Sequence, residues 1–259
     1  MANEIKKTDF IQSLEKGLNV ITAFDHEHAA MTLTQVAKKL DLTRANARRI
    51  LLTLEHLGFV SSVDGKLFSL TPKVLCLGYS YMSSLSYREL AQPYMEALAA
   101  EVNESCSMSV LDDREIVYVA RVQTKRIMTI ALGVGTRLPV QAASMGKVLL
   151  AGLEQEALQN LIKALNFEAF TSHTLIDPKA FIAHIQEVRQ QGWALSDQEL
   201  EIGVRSVACP LKDKDGKTLA ALNISGHASR VTKEEMLDKF LPALQNTVAK
   251  IEQALKNKV

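Results

Sequence analysis

Residues 42–60 read LTRANARRILLTLEHLGFV. Arg44, Arg48 and Arg49 are crowded into the first half, and the second half is almost wholly apolar. An ordinary surface helix spreads its charge along one stripe instead. Thr43 is an N-cap residue type, and Gly58 is the residue type that ends helices. Between them Ala47, Ile50, Leu51, Leu54 and Leu57 recur at helical spacing and predict a core-facing side. The back half of this helix therefore reads as core, and the front half as a surface presented to something else.

The flanks say what that surface is for. Upstream, Phe10, Leu14, Leu18, Ile21 and Phe24 predict an amphipathic first helix. Thr32-Leu33-Thr34-Gln35 has capping-box spacing and opens a short second helix with Val36, Ala37 and Leu40 inward. Asp41-Leu42-Thr43 interrupts it. Downstream, VSSV and KLFSL flank Asp64-Gly65, a two-residue hairpin signal. Three helices, a three-residue turn and a hairpin make the winged helix-turn-helix pattern.

Between Lys38 and Arg49 five basic residues face one acid. Thr43, Arg44, Ala45, Asn46, Arg48 and Arg49 are then the expected DNA-reading surface. Asn and Arg can pair bidentately with base edges, and the remaining cations can hold phosphates. Lys66, at the hairpin tip, suits the backbone or minor groove. A solvated helix face is the plain alternative for three arginines alone. The turn, the short preceding helix and the hairpin weigh against it.

The chain has 259 residues, 47% hydrophobic and 23% charged, enough for two globular domains. A net charge of +1 means that any nucleic-acid contact must be local. The three cysteines, Cys76, Cys106 and Cys209, have no zinc spacing and read as buried thiols in a reduced cytoplasm. No apolar leader or membrane-length run is visible. A cytoplasmic protein without metal or cofactor is expected.

Residues 72–85 are apolar and read as a helical linker that buries its face on a partner subunit, or else on its own chain. From residue 86 the pattern changes. A helix with Leu90, Tyr94, Leu98 and Val102 on one stripe is expected to kink or restart at Pro93. The strands CSMSVLDD, EIVYVARV and RIMTIAL follow. Two helices, ASMGKVLLAGL and EALQNLIKAL, come next. DPKAFIAHIQEVRQQG is a third, opened by Asp-Pro and stopped by Gly192. WALSDQE, GVRSVACPL and KTLAALNISG are strands, and residues 232–257 a long amphipathic helix. The expected architecture is a mainly α winged helix-turn-helix domain (1–71), a helical linker (72–85) and an α+β domain (86–259).

Catalysis finds little support. Ser144 lies in no GxSxG elbow, and its SxxK spacing to Lys147 lacks companion motifs. The histidines form no HExxH, and GVG at 133–135 is not a dinucleotide fingerprint. A purely architectural DNA-binding protein would not need the roughly 170 residues that follow the winged helix. Those residues instead offer an anion site. Ala142-Ala143-Ser144-Met145-Gly146 places small residues at a helix start, where free amides and the helix dipole attract a carboxylate. Read alone, tight helix packing is the better account of the same small residues.

SLEKGLNVITAF, LTQVAKKLDLTRANARRILLTLEHLGFV, AASMGKVLLA, LSDQELEIGVRSVACPL and ALNISG together resemble the IclR family of bacterial transcriptional regulators, over essentially the whole chain. RIMTIALGVGTRLPVQAASMGKVLLA resembles the branch containing PcaU, PcaR and PobR, which controls aromatic-acid catabolism through the β-ketoadipate pathway. The resemblance implies a GAF-like effector domain, a homodimer or homotetramer, operator DNA as partner and RNA polymerase as a further one. It implies a small carboxylic-acid effector, an aromatic acid or β-ketoadipate, with glyoxylate or pyruvate as the aliphatic alternative. The effector would meet Ser144, Met145 and Gly146 on one side. On the other it would meet Asp197, Glu199, Val204, Arg205 and Ser206, with Asn223 and Ser225 alternating on a strand. Arg137, in GTRLP, offers a guanidinium fork to a carboxylate. Met145, Leu132 and Met128 would supply apolar walls, and His227 is a further residue within reach. The rival roles are a surface loop for Asp197 and Glu199, and an internal ion pair for Arg205.

Overall fold

The computed structural model describes residue 6, residues 8–124 and residues 132–257. The expected strand RIMTIAL and Met128 lie outside the described residues, except for Leu132. The chain divides into two compact units, one ending at Ser84 and the other beginning at Leu85.

In the first unit α1 (Gln12–Thr22), α2 (Leu33–Lys39) and α3 (Arg44–His56) pack with a three-stranded antiparallel sheet of order β1-β3-β2. Thr32 and Gln35 make the capping box that starts α2. Thr43 caps α3 by accepting a hydrogen bond from the Asn46 N–H at 3.2 Å. The turn between these helices works because Asp41 adopts a left-handed φ of 50° and the Leu42 N–H returns to the Ala37 carbonyl. Strand β1 (Ala30–Thr32), which has no alternation long enough to be seen in sequence, adds an edge to the hairpin β2 (Val60–Val63) and β3 (Leu67–Leu70). Asp64 and Gly65 both have positive φ, as a primed turn demands. The Val63 carbonyl accepts from the Lys66 N–H, and pairing resumes at Val63 with Leu67, so three residues span the strands rather than two.

The core of this unit corrects two expectations. Val20 is the buried residue of α1, with Ala23 and Phe24 buried just beyond its end, while Phe10, Leu14 and Leu18 are exposed. On α3, Ala47, Leu51 and Leu54 are buried, Ile50 is half-buried and Leu57 is exposed at the C-cap. Helical spacing marks an apolar stripe but not its width, and the edges of both stripes stay in solvent. Beyond β3, α4 (Leu75–Ser84) has no buried residue at all.

The second unit is α+β. Six antiparallel strands run in the order β6-β5-β4-β9-β8-β7. They are β4 (Ser105–Asp112), β5 (Glu115–Val122), β6 (Arg137–Pro139), β7 (Ala194–Asp197), β8 (Val204–Lys212) and β9 (Thr218–His227). α6 (Ser144–Ala151), α7 (Gln155–Ala164) and α8 (Pro178–Gln191) share a core with one face, where Phe181, Ile185 and Leu150 are fully buried. α5 (Ser86–Val102) and α10 (Leu241–Lys256) pack together against the sheet. α5 runs unbroken through Pro93, and its buried stripe is Ala91, Met95, Leu98, Ala99 and Val102 rather than one through Leu90 and Tyr94. The two stripes share Leu98 and Val102 and part over the first two turns, where Leu90 and Tyr94 are half-buried. The expected long C-terminal helix has three parts: α9 (Lys233–Glu235), a π-helical turn at Met236–Phe240 and α10. Cys106 and Cys209 are buried as expected, but Cys76, on α4, is exposed.

Alternation along the strands separates two chemistries. In register lie Ser105 with Ser225, Ser107 with Asn223, and Ser206 with Ser225. Between them Cys106, Met108, Val207, Cys209, Leu222 and Ile224 point to the other face, and all are buried. One face of the sheet is a lipophilic core surface; the other carries a polar patch beside the start of α6.

Candidate DNA-reading surface and effector cavity

The start of α3 is a donor surface without internal partners. Thr43, Arg44, Ala45, Arg48 and Arg49 are exposed and Asn46 is half-buried. Among the described residues, no ion pair or hydrogen bond engages the guanidinium groups of Arg44, Arg48 or Arg49; the Arg49 carbonyl accepts from the Thr53 hydroxyl at 2.8 Å. Lys66 is exposed at the hairpin tip. Lys39 is spent internally: its Nζ meets Asp25 Oδ2 at 2.7 Å, and Asp25 also accepts from the His28 backbone. Lys39 first, and His28 after it, hold the Asp25 carboxyl well below the usual carboxylate range. Arg44, Arg48 and Arg49 stay exposed and available to an external anion.

The second site is a cavity where α6 begins. Tyr118, Leu132, Leu138, Ala142, Ala143, Ser144, Met145, Ser196, Leu200, Glu201, Val204, Ser206, Asn223 and Ser225 line it. It encloses about 40 Å³ open to the centre of a water-sized sphere. Ala143 precedes α6 without a capping side chain. Among the described residues no protein acceptor meets the Ser144, Met145 or Gly146 amides, so the helix start is electrically open. Ser144 and Ser206 share a hydrogen bond of 2.8 Å, and Ser109 Oγ donates to Met145 Sδ at 3.2 Å. Ser196 Oγ holds the Ala142 carbonyl at 2.8 Å, which shapes the turn into the helix. The Asn223 Oδ1 atom is buried without a partner. Burial pushes the Tyr118 hydroxyl up to about 12, so it stays a neutral phenol.

Of the residues expected at the effector, Ser144, Met145, Val204, Ser206, Asn223 and Ser225 come together on this cavity, and five do not reach it. Gly146 lies behind the wall, where an added Cβ would meet the Val140 carbonyl oxygen at 2.1 Å; close packing requires the glycine. Arg205 and Asp197 form an internal ion pair of 2.8 Å, and Arg205 Nη1 also donates to the Val231 carbonyl. Strand alternation is the reason: Val204 and Ser206 face the cavity, so Arg205 between them cannot. Glu199 points away and pairs with Lys147 Nζ. Arg137 is exposed and bridges Asp112 at 2.8 Å and Glu115 at 2.6 Å, so its fork is already filled. His227 Nδ1 pairs with the Ser229 hydroxyl at 2.7 Å and is not part of the wall.

Sequence reading missed Tyr118, Ser196, Leu200 and Glu201, which come from three separate strands and loops. It also missed Arg121, whose Nη1 donates to Ser107 Oγ at 3.2 Å and whose buried Nε has no partner. Period-two alternation would have separated Tyr118 from Arg121; a bulge at Val119 sets them opposite Ser109 and Ser107 on the same face of the sheet.

The family model described as the IclR helix-turn-helix domain matches residues 13–64, and that described as the bacterial transcriptional regulator IclR C-terminal matches residues 79–253. The chain belongs to the IclR family. It is a DNA-binding transcriptional regulator of that family and not an enzyme. It is 44% identical over 91% of its length to the Pca regulon regulatory protein of Pseudomonas putida, of which it covers 81%. A transcriptional regulator from Rhodococcus sp. RHA1 has 48% identity and a TM-score of 0.85, over 96% of this chain and 100% of that one. The inducer-binding domain of the Acinetobacter transcription factor PobR, solved as a double mutant with 3-hydroxybenzoic acid, has 34% identity and a TM-score of 0.61. That likeness covers 64% of this chain and 97% of the other. Among the described residues no helix is long and apolar enough to cross a membrane, and no cluster of metal-ligating side chains occurs.

Proposed function

We propose that this IclR-family regulator controls genes of aromatic-acid catabolism and that an aromatic carboxylic acid is its effector. The observation that carries this reading is the cavity at the open start of α6. Its anion-attracting end is built from helix amides and hydroxyls and its walls from Leu132, Leu138, Met145, Leu200 and Val204; among the described residues its lining holds no lysine or arginine and one carboxylate, Glu201. Apolar walls with a few convergent polar groups suit a ring that bears one carboxylate. The likeness to the Pca and PobR regulators points the same way. The effector acts by population shift: ligand binds one arrangement of the sensing unit better, and the paired DNA-reading heads respond to the difference.

Ser144, Met145, Ser206, Asn223 and Ser225 hold the ligand in this reading, while Arg44, Asn46, Arg48, Arg49 and Lys66 hold the operator. The regulator acts as a homodimer or homotetramer, as two half-sites require. The unburied apolar residues of α4 and the Leu14 and Leu18 edge of α1 are the surfaces such an assembly would cover.

One observation favours a second reading. The cavity's 40 Å³ is small beside the roughly 150 Å³ that admits benzene in an engineered apolar cavity, and an acid of glyoxylate or pyruvate size fits with less movement. Thermal shift on the full chain separates the two. Protocatechuate, 4-hydroxybenzoate, β-ketoadipate, glyoxylate and pyruvate are compared. A bound ligand at ~100 times its dissociation constant stabilises by about 2.7 kcal/mol. A response to an aromatic acid supports the first reading. A response to the two small acids alone transfers the protein to the second.

A further inference from the structure

Glu199 Oε2 and His184 Nε2 are both buried without a hydrogen-bond partner. They belong to one cluster with Lys147, a lysine whose side chain is 2% exposed. Lys147 Nζ donates to Glu199 Oε1 at 2.5 Å and more weakly to the Leu195 carbonyl at 3.4 Å. Burial lowers the affinity of Lys147 for its proton, and Glu199 opposes that effect. Burial and the nearby lysine also hold His184 below its ordinary value, so the imidazole adds no second cation to the cluster.

The position of this pair in the chain gives it a role. Glu199 is followed by Leu200 and Glu201, both in the cavity wall; Lys147 follows Ser144 and Met145, which form another wall. A single buried ion pair therefore ties two walls together from behind. Thr171 Oγ1 donates to the Gln198 carbonyl at 2.7 Å, and Thr174 Oγ1 to the Glu199 carbonyl at 2.6 Å. The Gln198 side chain accepts from the Gly203 N–H at 3.1 Å and closes the loop on itself.

Two physical arguments make the pair more than scaffolding. Lys147 sits inside a helix and cannot follow the loop outward, so opening leaves an ammonium group buried without its counter-charge, a strongly unfavourable state. A cavity of 40 Å³ also cannot take an aromatic ring unless a wall moves, and the lining residues carried outside helices and strands are Leu132, Ala142, Ala143, Leu200 and Glu201, of which Leu200 and Glu201 belong to the loop 198–203 that the ion pair holds. We propose that Lys147 and Glu199 are positioning residues of the effector site, holding loop 198–203 closed, and that ligand exchange proceeds through rupture of their ion pair. The loop-closing half stands without any ligand; the exchange half rests on the aromatic reading above.

The test is hydrogen–deuterium exchange on the full-length, ligand-free protein, comparing wild type with Glu199→Gln and Lys147→Met. The reporting amides are Gln198, which donates to the Val204 carbonyl, and Val204, which donates to Glu201. Exchange at 198–204 should accelerate by roughly tenfold or more while α1 to α3 are unaffected. Protocatechuate should leave the variants faster by a similar factor. Unaltered exchange at 198–204, or acceleration spread evenly over the sensing unit, overturns the proposal and leaves the pair a general stabiliser. If a single variant fails to fold, Lys147→Met with Glu199→Gln removes the uncompensated charge, and the loop should still exchange fast. Wild-type protection in that double variant again overturns it. If protocatechuate and 4-hydroxybenzoate leave wild-type exchange unchanged, the aromatic reading fails, and the ligand-free comparison still decides the latch.

Discussion

At the scale of single residues, function depends on which polar atoms find partners inside the molecule. The guanidinium groups of Arg48 and Arg49 find none among the described residues, whereas Lys39 and Arg137 are engaged by Asp25, Asp112 and Glu115. Arg48→Ala and Arg49→Ala should each weaken operator binding, and each lost phosphate contact should lower the salt slope by about 1. Fluorescence anisotropy across a salt series measures both; unaltered affinity and slope would remove α3 from the interface. Ser206→Ala leaves the Ser144 hydroxyl without its 2.8 Å partner. The expected cost is about 1 kcal/mol in stability with a weaker ligand response and intact ligand-free operator binding. Loss of operator binding as well would indicate damaged folding. Burial pushes the Cys106 and Cys209 thiols up to about 12, so almost no thiolate exists at neutral pH. A thiol reagent counted by mass spectrometry should therefore leave Cys106 and Cys209 unmodified in the native protein, with Cys76 the one thiol it reaches wherever α4 is uncovered. Rapid labelling of either buried cysteine would contradict their placement.

At the scale of elements, α6 is the part on which the sensing unit turns. It supplies open amides at its first turn, Met145 to the cavity, Lys147 to the ion pair behind it, and Val148 to Leu150 to the core. Its close approach to the Val140 carbonyl depends on Gly146. Gly146→Ala places a methyl where there is no room and must shift the helix start or that carbonyl. Overpacking of this kind costs about 1–3 kcal/mol. We expect a lower melting temperature together with a lost ligand-induced shift, while the operator-binding surface of α3 keeps its fold. A melt indistinguishable from wild type would show that the turn before α6 has slack.

At the scale of the whole molecule, the two units have very different unburied surfaces. α4 exposes Leu75, Leu77, Tyr79 and Tyr81, at 71%, 50%, 73% and 49% of their full area. A helix with that much apolar surface in water is stabilised by covering it. Leu77→Asp with Tyr81→Asp should shift sedimentation towards the monomer. Operator affinity should fall with it, because one head can hold only one half-site. An unchanged oligomer would place the assembly surface elsewhere.

The amino-acid sequence alone determined the elements whose causes are local. The capping box at Thr32, the cap at Thr43, the Asp64-Gly65 turn and the stop at Gly192 depend on residues within a few positions of one another. So does the charged front of α3. These, with the order of helices and strands, were enough to specify a winged helix-turn-helix followed by an α+β unit. The cavity was only half legible. Ser144, Ser206 and Asn223 were marked out by the family resemblance; Ser196 and Leu200 lie on one of the same stretches, but their place in the cavity, like that of Tyr118, follows only from sheet pairing and the path of a loop. Tertiary structure also decided the fate of the charges. Arg205 and Glu199 look like ligand-binding groups in a linear reading; one is turned away by strand alternation, and the other is captured by a lysine 52 positions earlier. Charge pairing acts through space and has no fixed spacing along the chain, so the partner of a buried ion is settled only when the chain has folded.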